Sequence, residues 1–219
     1  MIDAGAPVVA QAVVFVHAGR ELSTPTKGIC SVGFHVADFD AALKRLSGAG
    51  ATLCDVRLPA LTELPSINAK GGIVAGEAYH VHRARMAAKG EAYDPRVRTR
   101  IEMAAAISAA DYLDYFARRR EMIAAFGQAM QGLDAVLLPT TLNTPPAIAA
   151  LATDLDYLRF NAMSLRNTYV GNFLNGCAIS LPMHEKGTAP TGLMLLAPWG
   201  QDQALFAVAA AAEKIARRS

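Results

Sequence analysis

Only three cysteines and one tryptophan occur among the 219 residues, and aromatic side chains make up 7%. Cys30, Cys54 and Cys177 form no C-x-x-C pair and are odd in number. That pattern excludes a disulfide-stapled scaffold and points to a reducing compartment, the cytoplasm. Charge of one sign is also missing. Lys and Arg number 21 against 19 Asp and Glu, a net charge of +2. Basic residues cluster only at Arg118-Arg119-Arg120 and Arg217-Arg218, so no nucleic-acid stripe is expected. No apolar stretch reaches the roughly 18 to 20 residues of a membrane span. The run from Ala6 to His17 is shorter and follows no basic residue, which makes it a buried strand or short helix and not an anchor. G-x-G-x-x-G, P-loop and G-x-S-x-G patterns are absent, so the common nucleotide and serine-hydrolase motifs are excluded and no cofactor is expected.

What the chain does hold is apolar bulk, 53% hydrophobic residues with a mean hydropathy of +0.23. This is enough for one sizeable core or two modest ones. Asp38 to Gly50 places Phe39, Leu43 and Leu46 on one helical face and stops at glycine. Residues 51–59 then read as a strand. Ser66 to Lys89 is rich in Ala, Gly and Tyr, suited to close packing, with Gly71-Gly72 breaking any single straight helix. In SAADYLDYFARRREMIAAFGQAM, Ser108 is placed to cap a helix with Asp111 three residues on, and Tyr112, Phe116, Ile123 and Phe126 repeat at helical intervals. Asp134 to Pro139 is a short buried strand, and Thr140 to Pro146 an irregular loop. A helix-like stretch over 154–170 precedes two apolar strands, AISLP and GLMLLAP, joined by a polar connection. Asp202 opens an Ala-rich helix whose Lys214, Arg217 and Arg218 suit its negative end. The mixture of long helices and short apolar strands argues an α/β fold.

Few residues suggest chemistry by themselves. His80 and His82, two apart in a helical context, point about 200° apart, and no H-e-x-x-H spacing occurs. They read as helix histidines, and no metal is expected. Ser66 and Lys70 have the i, i+4 spacing at which a desolvated lysine can serve a hydroxyl as base, but Ser66 after Pro65 equally suits a helix cap. Cys177, delivered to a strand by the tight turn Asn175-Gly176, is either a nucleophile or a small buried residue. A thiolate there needs an adjacent base or a helix N-terminus.

From about Phe39 to Arg217 the chain resembles the C-terminal half of amidase-signature hydrolases. The resemblance is carried in order by FDAALKRLSGAGATLCDVRLP, AYDPRVRTRI, ISAADYLDYFARRR, LDAVLLPTT, NTYVGNFLNGCAISLP and PTGLMLLAPWGQDQALFAVAAAAEK. It implies a mixed β-sheet flanked by helices, with residues 39–219 as a single compact domain and 1–38 as a segment outside the resemblance. In the matching family stretch a proline usually follows the glycine, so Cys177 stands at a turn position and is not expected to be a nucleophile. The family cleaves amides with a serine nucleophile, a second serine and a lysine base carried in a Gly/Ser-rich N-terminal half. This sequence has no Ser-Ser pair, no Gly/Ser-rich loop and no matching lysine, so no catalytic residue is assigned. The resemblance implies a truncated amidase-type chain, inactive by itself, with Thr140, Thr141, Asn172, Asn175 and Gly176 near an acyl-side pocket for a small-molecule amide. It also implies a partner chain carrying the missing half, or a non-catalytic domain that self-associates as a homo-oligomer or binds a small ligand.

Overall fold

The computed structural model describes residues 37–54 and 58–216. The apolar run from Ala6 to His17 and the basic pair Arg217-Arg218 lie outside these residues, as do the middle of the expected strand 51–59. The described residues form seven helices, α1 (Ala37–Gly48), α2 (Leu64–Ile67), α3 (Gly72–Lys89), α4 (Pro95–Glu102), α5 (Ala109–Ala129), α6 (Asp154–Phe173) and α7 (Asp202–Ala216), with short 3-10 turns. Three strands complete them, β1 (Val136–Pro139), β2 (Cys177–Pro182) and β3 (Gly192–Ala197). They divide into two compact units, one of residues 60–122 and one of residues up to Pro59 together with Ile123 onward. Among the described residues no helix is long and apolar enough to cross a membrane.

The first unit is helical. Gly71 and Gly72 both have left-handed backbone, φ 90° and 63°, which separates α2 from α3. Only glycine adopts that conformation without strain. Further along α3, a Cβ on Gly76 would fall 2.9 Å from the Tyr112 ring. The glycine there permits the close helix packing that the small-residue composition suggests. Asp94 caps α4 by accepting from the amides of Arg96 and Val97, with Pro95 in the first turn. At the start of α5 the Ser108 hydroxyl accepts from the Asp111 amide at 3.0 Å, while the Asp111 carboxylate accepts from the Ser108 amide at 2.9 Å. This is the reciprocal cap that the S-x-x-D spacing encodes.

The second unit is built on the sheet. Strand order is β1-β3-β2, and both pairings are antiparallel. The central strand is sequestered on both faces, with Leu193 to Ala197 at most 3% exposed. Alternation sorts the strands. Leu137, Ile179, Leu181, Leu193 and Leu195 face a core with Leu43 and Leu46 of α1 and Leu205, Ala209 and Ala212 of α7. The opposite face carries Val136, Leu138, Met194 and Leu196, with Gly171 of α6 close against Leu196. Burying each leucine contributes about 1.5 to 3 kcal/mol before the entropy of ordering is counted. Arg45 of α1 donates to the last carbonyls of α7, at 3.1 Å to Ile215 and 2.6 Å to Ala216. A cation from another helix therefore meets the negative end of α7, a contact that the sequence assigned to the helix's own basic residues. Of the expected strand, Ala51 and Leu53 pack as apolar side chains against the core. The resulting arrangement is an α/β fold with a small sheet flanked by helices.

Candidate functional site

The polar face of the second unit develops where β1 ends. The Thr140 amide donates to the Gly192 carbonyl at 2.7 Å, carrying the ladder one step beyond Pro139. This aims the Thr140 side chain onto the face shared with Leu138. Its hydroxyl lies 2.5 Å from that of Ser180, which is exposed on β2. The following loop is tied down by its own side chains. Thr141 donates to the Asn143 carbonyl at 2.9 Å, and Ser164 of α6 lies 3.2 Å from the Asn143 side-chain oxygen. Asn167 of α6 donates to the Pro139 carbonyl at 2.6 Å. Hydroxyls and amides thus line this end of the sheet.

The other three candidates sit where α6 turns into β2. Asn175 adopts φ 54°, a left-handed conformation that asparagine tolerates better than most residues. Its amide donates to the Asn172 carbonyl at 3.3 Å, and the Gly176 amide to the Gly171 carbonyl at 3.0 Å. That pair of bonds is the Schellman closure of a helix C-terminus. A Cβ on Gly176 would stand 2.6 Å from Leu196 and 2.8 Å from the Ala197 carbonyl, so the turn is pressed against β3. The structure therefore brings Thr140 and Thr141 together, and Asn172, Asn175 and Gly176 together. Thr140 meets Gly192 while Cys177 pairs with Ala197. The two groups are thus about five residues apart along β3, roughly 17 Å at strand rise.

Cys177 lies just beyond the second group. Its thiol donates to the Pro198 carbonyl at 3.3 Å. Burial first, and then the charge of Asp202, push its pKa up. The thiol is held protonated, the wrong state for a nucleophile. The Ser66 and Lys70 pair is also resolved by geometry. Ser66 donates to the Glu63 carbonyl at 2.8 Å, while the Lys70 amine lies 2.9 Å from the Asp111 carboxylate. The hydrogen bond that Lys70 donates to Asp111 raises the Lys70 pKa, opposite to what a base requires. His82 meets the Tyr93 hydroxyl at 2.8 Å, with the rings edge to face at 5.7 Å. Among the described residues no group of three His, Cys, Asp or Glu side chains is placed to hold a metal ion.

A cavity of about 270 Å³ opens in the second unit between Met130, Leu133, Asp134, Pro198, Gln201 and Val208. None of the five candidates lines it. Ser180, Gly192, Asn143 and Asn167 are the polar-face residues that sequence reasoning missed. Period-two alternation in AISLP, with Ile179 and Leu181 inward, would have turned Ser180 to the other face.

The Amidase family profile matches residues 36–206. A 2-amino-5-chloromuconic acid deaminase of Comamonas testosteroni is 30% identical over 180 residues, which is 82% of this chain and 39% of that protein. Kluyveromyces lactis allophanate hydrolase superposes with a TM-score of 0.72 at 21% identity, over 82% of this chain and 29% of its own. A vestigial protein complex described as revealing the origins of an s-triazine catabolic enzyme aligns with a TM-score of 0.64 at 22% identity, over 85% of this chain and 41% of that one. The fold is that of amidase-signature structures, and the chain belongs to the amidase family. It spans about two fifths of the length of the deaminase it matches.

Proposed function

We propose that residues 39–219 supply the acyl-side half of an amide-hydrolysing site. On this reading the nucleophilic serine, second serine and lysine base come from polypeptide outside this segment, and the segment is inactive without them. The observation that carries it is the alignment of 82% of this chain with only 39% of the deaminase, on a segment without a Ser-Ser pair. Amide cleavage needs an activated hydroxyl and donors for the developing oxyanion. The nearest approach to that set, Ser66 with Lys70, is occupied elsewhere. The substrate class is a small amide, with Thr140 and Thr141 at one end of the polar face and Asn172, Asn175 and Gly176 at the other.

The test is hydrolysis of aryl amides by the purified chain, alone and mixed with a separately made Gly/Ser-rich half of an amidase-signature enzyme, with a fluorophosphonate probe present in parallel. The expected result is no product and no labelling from the chain alone, and product from the mixture. Turnover with labelling of Ser66 or Ser180 in the isolated chain would overturn it.

The free edge of β2 favours a second reading, a non-catalytic domain that pairs with its own copy. Among the described residues β2 has a ladder partner on one side only, and an open strand edge is a template for another chain.

A further inference from the structure

We propose that the cavity between the end of α5 and the start of α7 binds a small organic cation, a primary ammonium on a short aliphatic chain. The site is separate from the acyl-side residues, none of which lines it. Its volume of about 270 Å³ falls just under the roughly 300 to 1,000 Å³ of ordinary ligand clefts. A Cβ on Gly127 would meet nothing within 4 Å, so α5 leaves open space where it lines the cavity. Gly132, with φ 77°, closes the turn after α5 and returns Leu133 and Asp134 to the same space. From α7 come Gln201 and Val208, seven residues apart and therefore on one helical face. Met130 is the floor at 5% exposure. Leu133 and Val208 are half-buried walls, and Gly127 and Gln201 are exposed at the rim.

The lining selects the ligand's chemistry. Met130, Leu133 and Val208 offer apolar surface to an alkyl chain, and Asp134 is the one ionisable side chain among the lining residues. Asp202 follows Gln201 in the first turn of α7 and adds a second acidic side chain at this end. The positive N-terminus of a helix amounts to about half a charge, which does not offset two carboxylates. An anion is therefore repelled, and a neutral head gains nothing from the field. Asp134 already has a contact within the protein, but a carboxylate has about four lone-pair positions and can accept from a ligand as well. A primary ammonium donates up to three hydrogen bonds, so it can meet Asp134 and also the Gln201 side-chain oxygen.

The experiment is an NMR titration of the isotope-labelled chain with n-butylammonium, 1-butanol and pentanoate, which carry a positive, a neutral and a negative head on the same butyl chain. The expected result is saturable shifts at Met130, Leu133 and Val208, with the ammonium binding roughly three- to tenfold more tightly than the alcohol and pentanoate weakest, the effect of one partly screened charged hydrogen bond. This order is read on the parent chain, so it does not depend on a variant folding. Asp134→Asn should cancel the preference for ammonium over alcohol. Gly127→Leu, which sends a side chain into the open space while favouring the helix, should weaken all three ligands. Equal binding of ammonium and alcohol overturns the proposal, as does the absence of saturable shifts at these residues. So does a preference that survives Asp134→Asn. Shifts at the same residues that grow with protein concentration in the absence of ligand would put a side chain of a second copy in the cavity and overturn it as well.

Discussion

Asp111 shows how one side chain can join sequence grammar to pH response. Its carboxylate receives the Ser108 amide, the Ser108 hydroxyl and the Lys70 amine. The Ser108 backbone bond is the largest cause, followed by Lys70, and its pKa falls from 3.8 to about 2. The folded pKa lies below the unfolded one, so the group stabilises the fold above the ordinary carboxylate range. That contribution is lost as pH falls through about 2. Asp111→Asn should therefore lower the urea midpoint at neutral pH, and the gap from the parent should close between about pH 4 and pH 2. The gap is modest and salt-sensitive, because the carboxylate is partly exposed. Urea unfolding of both proteins across that range checks it, and a pH-independent gap would refute the assignment. Cys177 carries the complementary lesson. Its turn position was legible, but its protonation state is set by burial and by Asp202, neither of which the local sequence displays.

Among the elements, those whose cause is local were readable. Ser108 and Asp111 cap α5 through a three-residue spacing, and Gly71-Gly72 breaks the helical stretch where left-handed backbone is needed. The α6 to β2 turn was visible as Asn175-Gly176, but the reason for Gly176 was not. Its φ is unremarkable, and glycine is required because Leu196 and the Ala197 carbonyl stand where a Cβ would go. Such a contact between residues twenty apart leaves no periodic trace. A non-local cause also accounts for Arg45 reaching α7. Gly176→Ala should cost about 1 to 3 kcal/mol, the usual penalty of overpacking a tight site. The fixed neighbour is a backbone carbonyl and cannot rotate away. Chemical denaturation measures it, with Gly187→Ala unsuitable as control because that glycine has φ 87°. Gly127→Ala, with nothing within 4 Å of the added carbon, should be neutral or slightly stabilising.

At the scale of the whole molecule, a strand edge without a ladder partner among the described residues is the feature with consequences beyond the chain. β2 is six residues, CAISLP, without a charge, and Ala178 and Ser180 are exposed on it. Natural edge strands are usually guarded by lysine, proline, a bulge or brevity. The other edge, β1, has proline and brevity, being four residues closed by Pro139. β2 has proline only at its end. Its inward residues Ile179 and Leu181 pack in the core, and among the described residues its outer edge has no ladder partner. Antiparallel pairing of β2 with the same strand of a second copy would give a six-stranded sheet with an isologous contact, the commonest symmetry of homodimers. The chain should therefore show a concentration-dependent dimer by light scattering. Ala178→Lys should return it to a monomer with an unchanged helical circular dichroism signal, because the new charge points away from the core. A parent chain that stays monomeric at all concentrations would show that the edge is masked by other residues of the same chain. A dimer indifferent to Ala178→Lys would place the contact elsewhere. The exposed leucines Leu155, Leu158 and Leu165 of α6, which fall within about 80° of one helical face, are the next surface such a result would implicate.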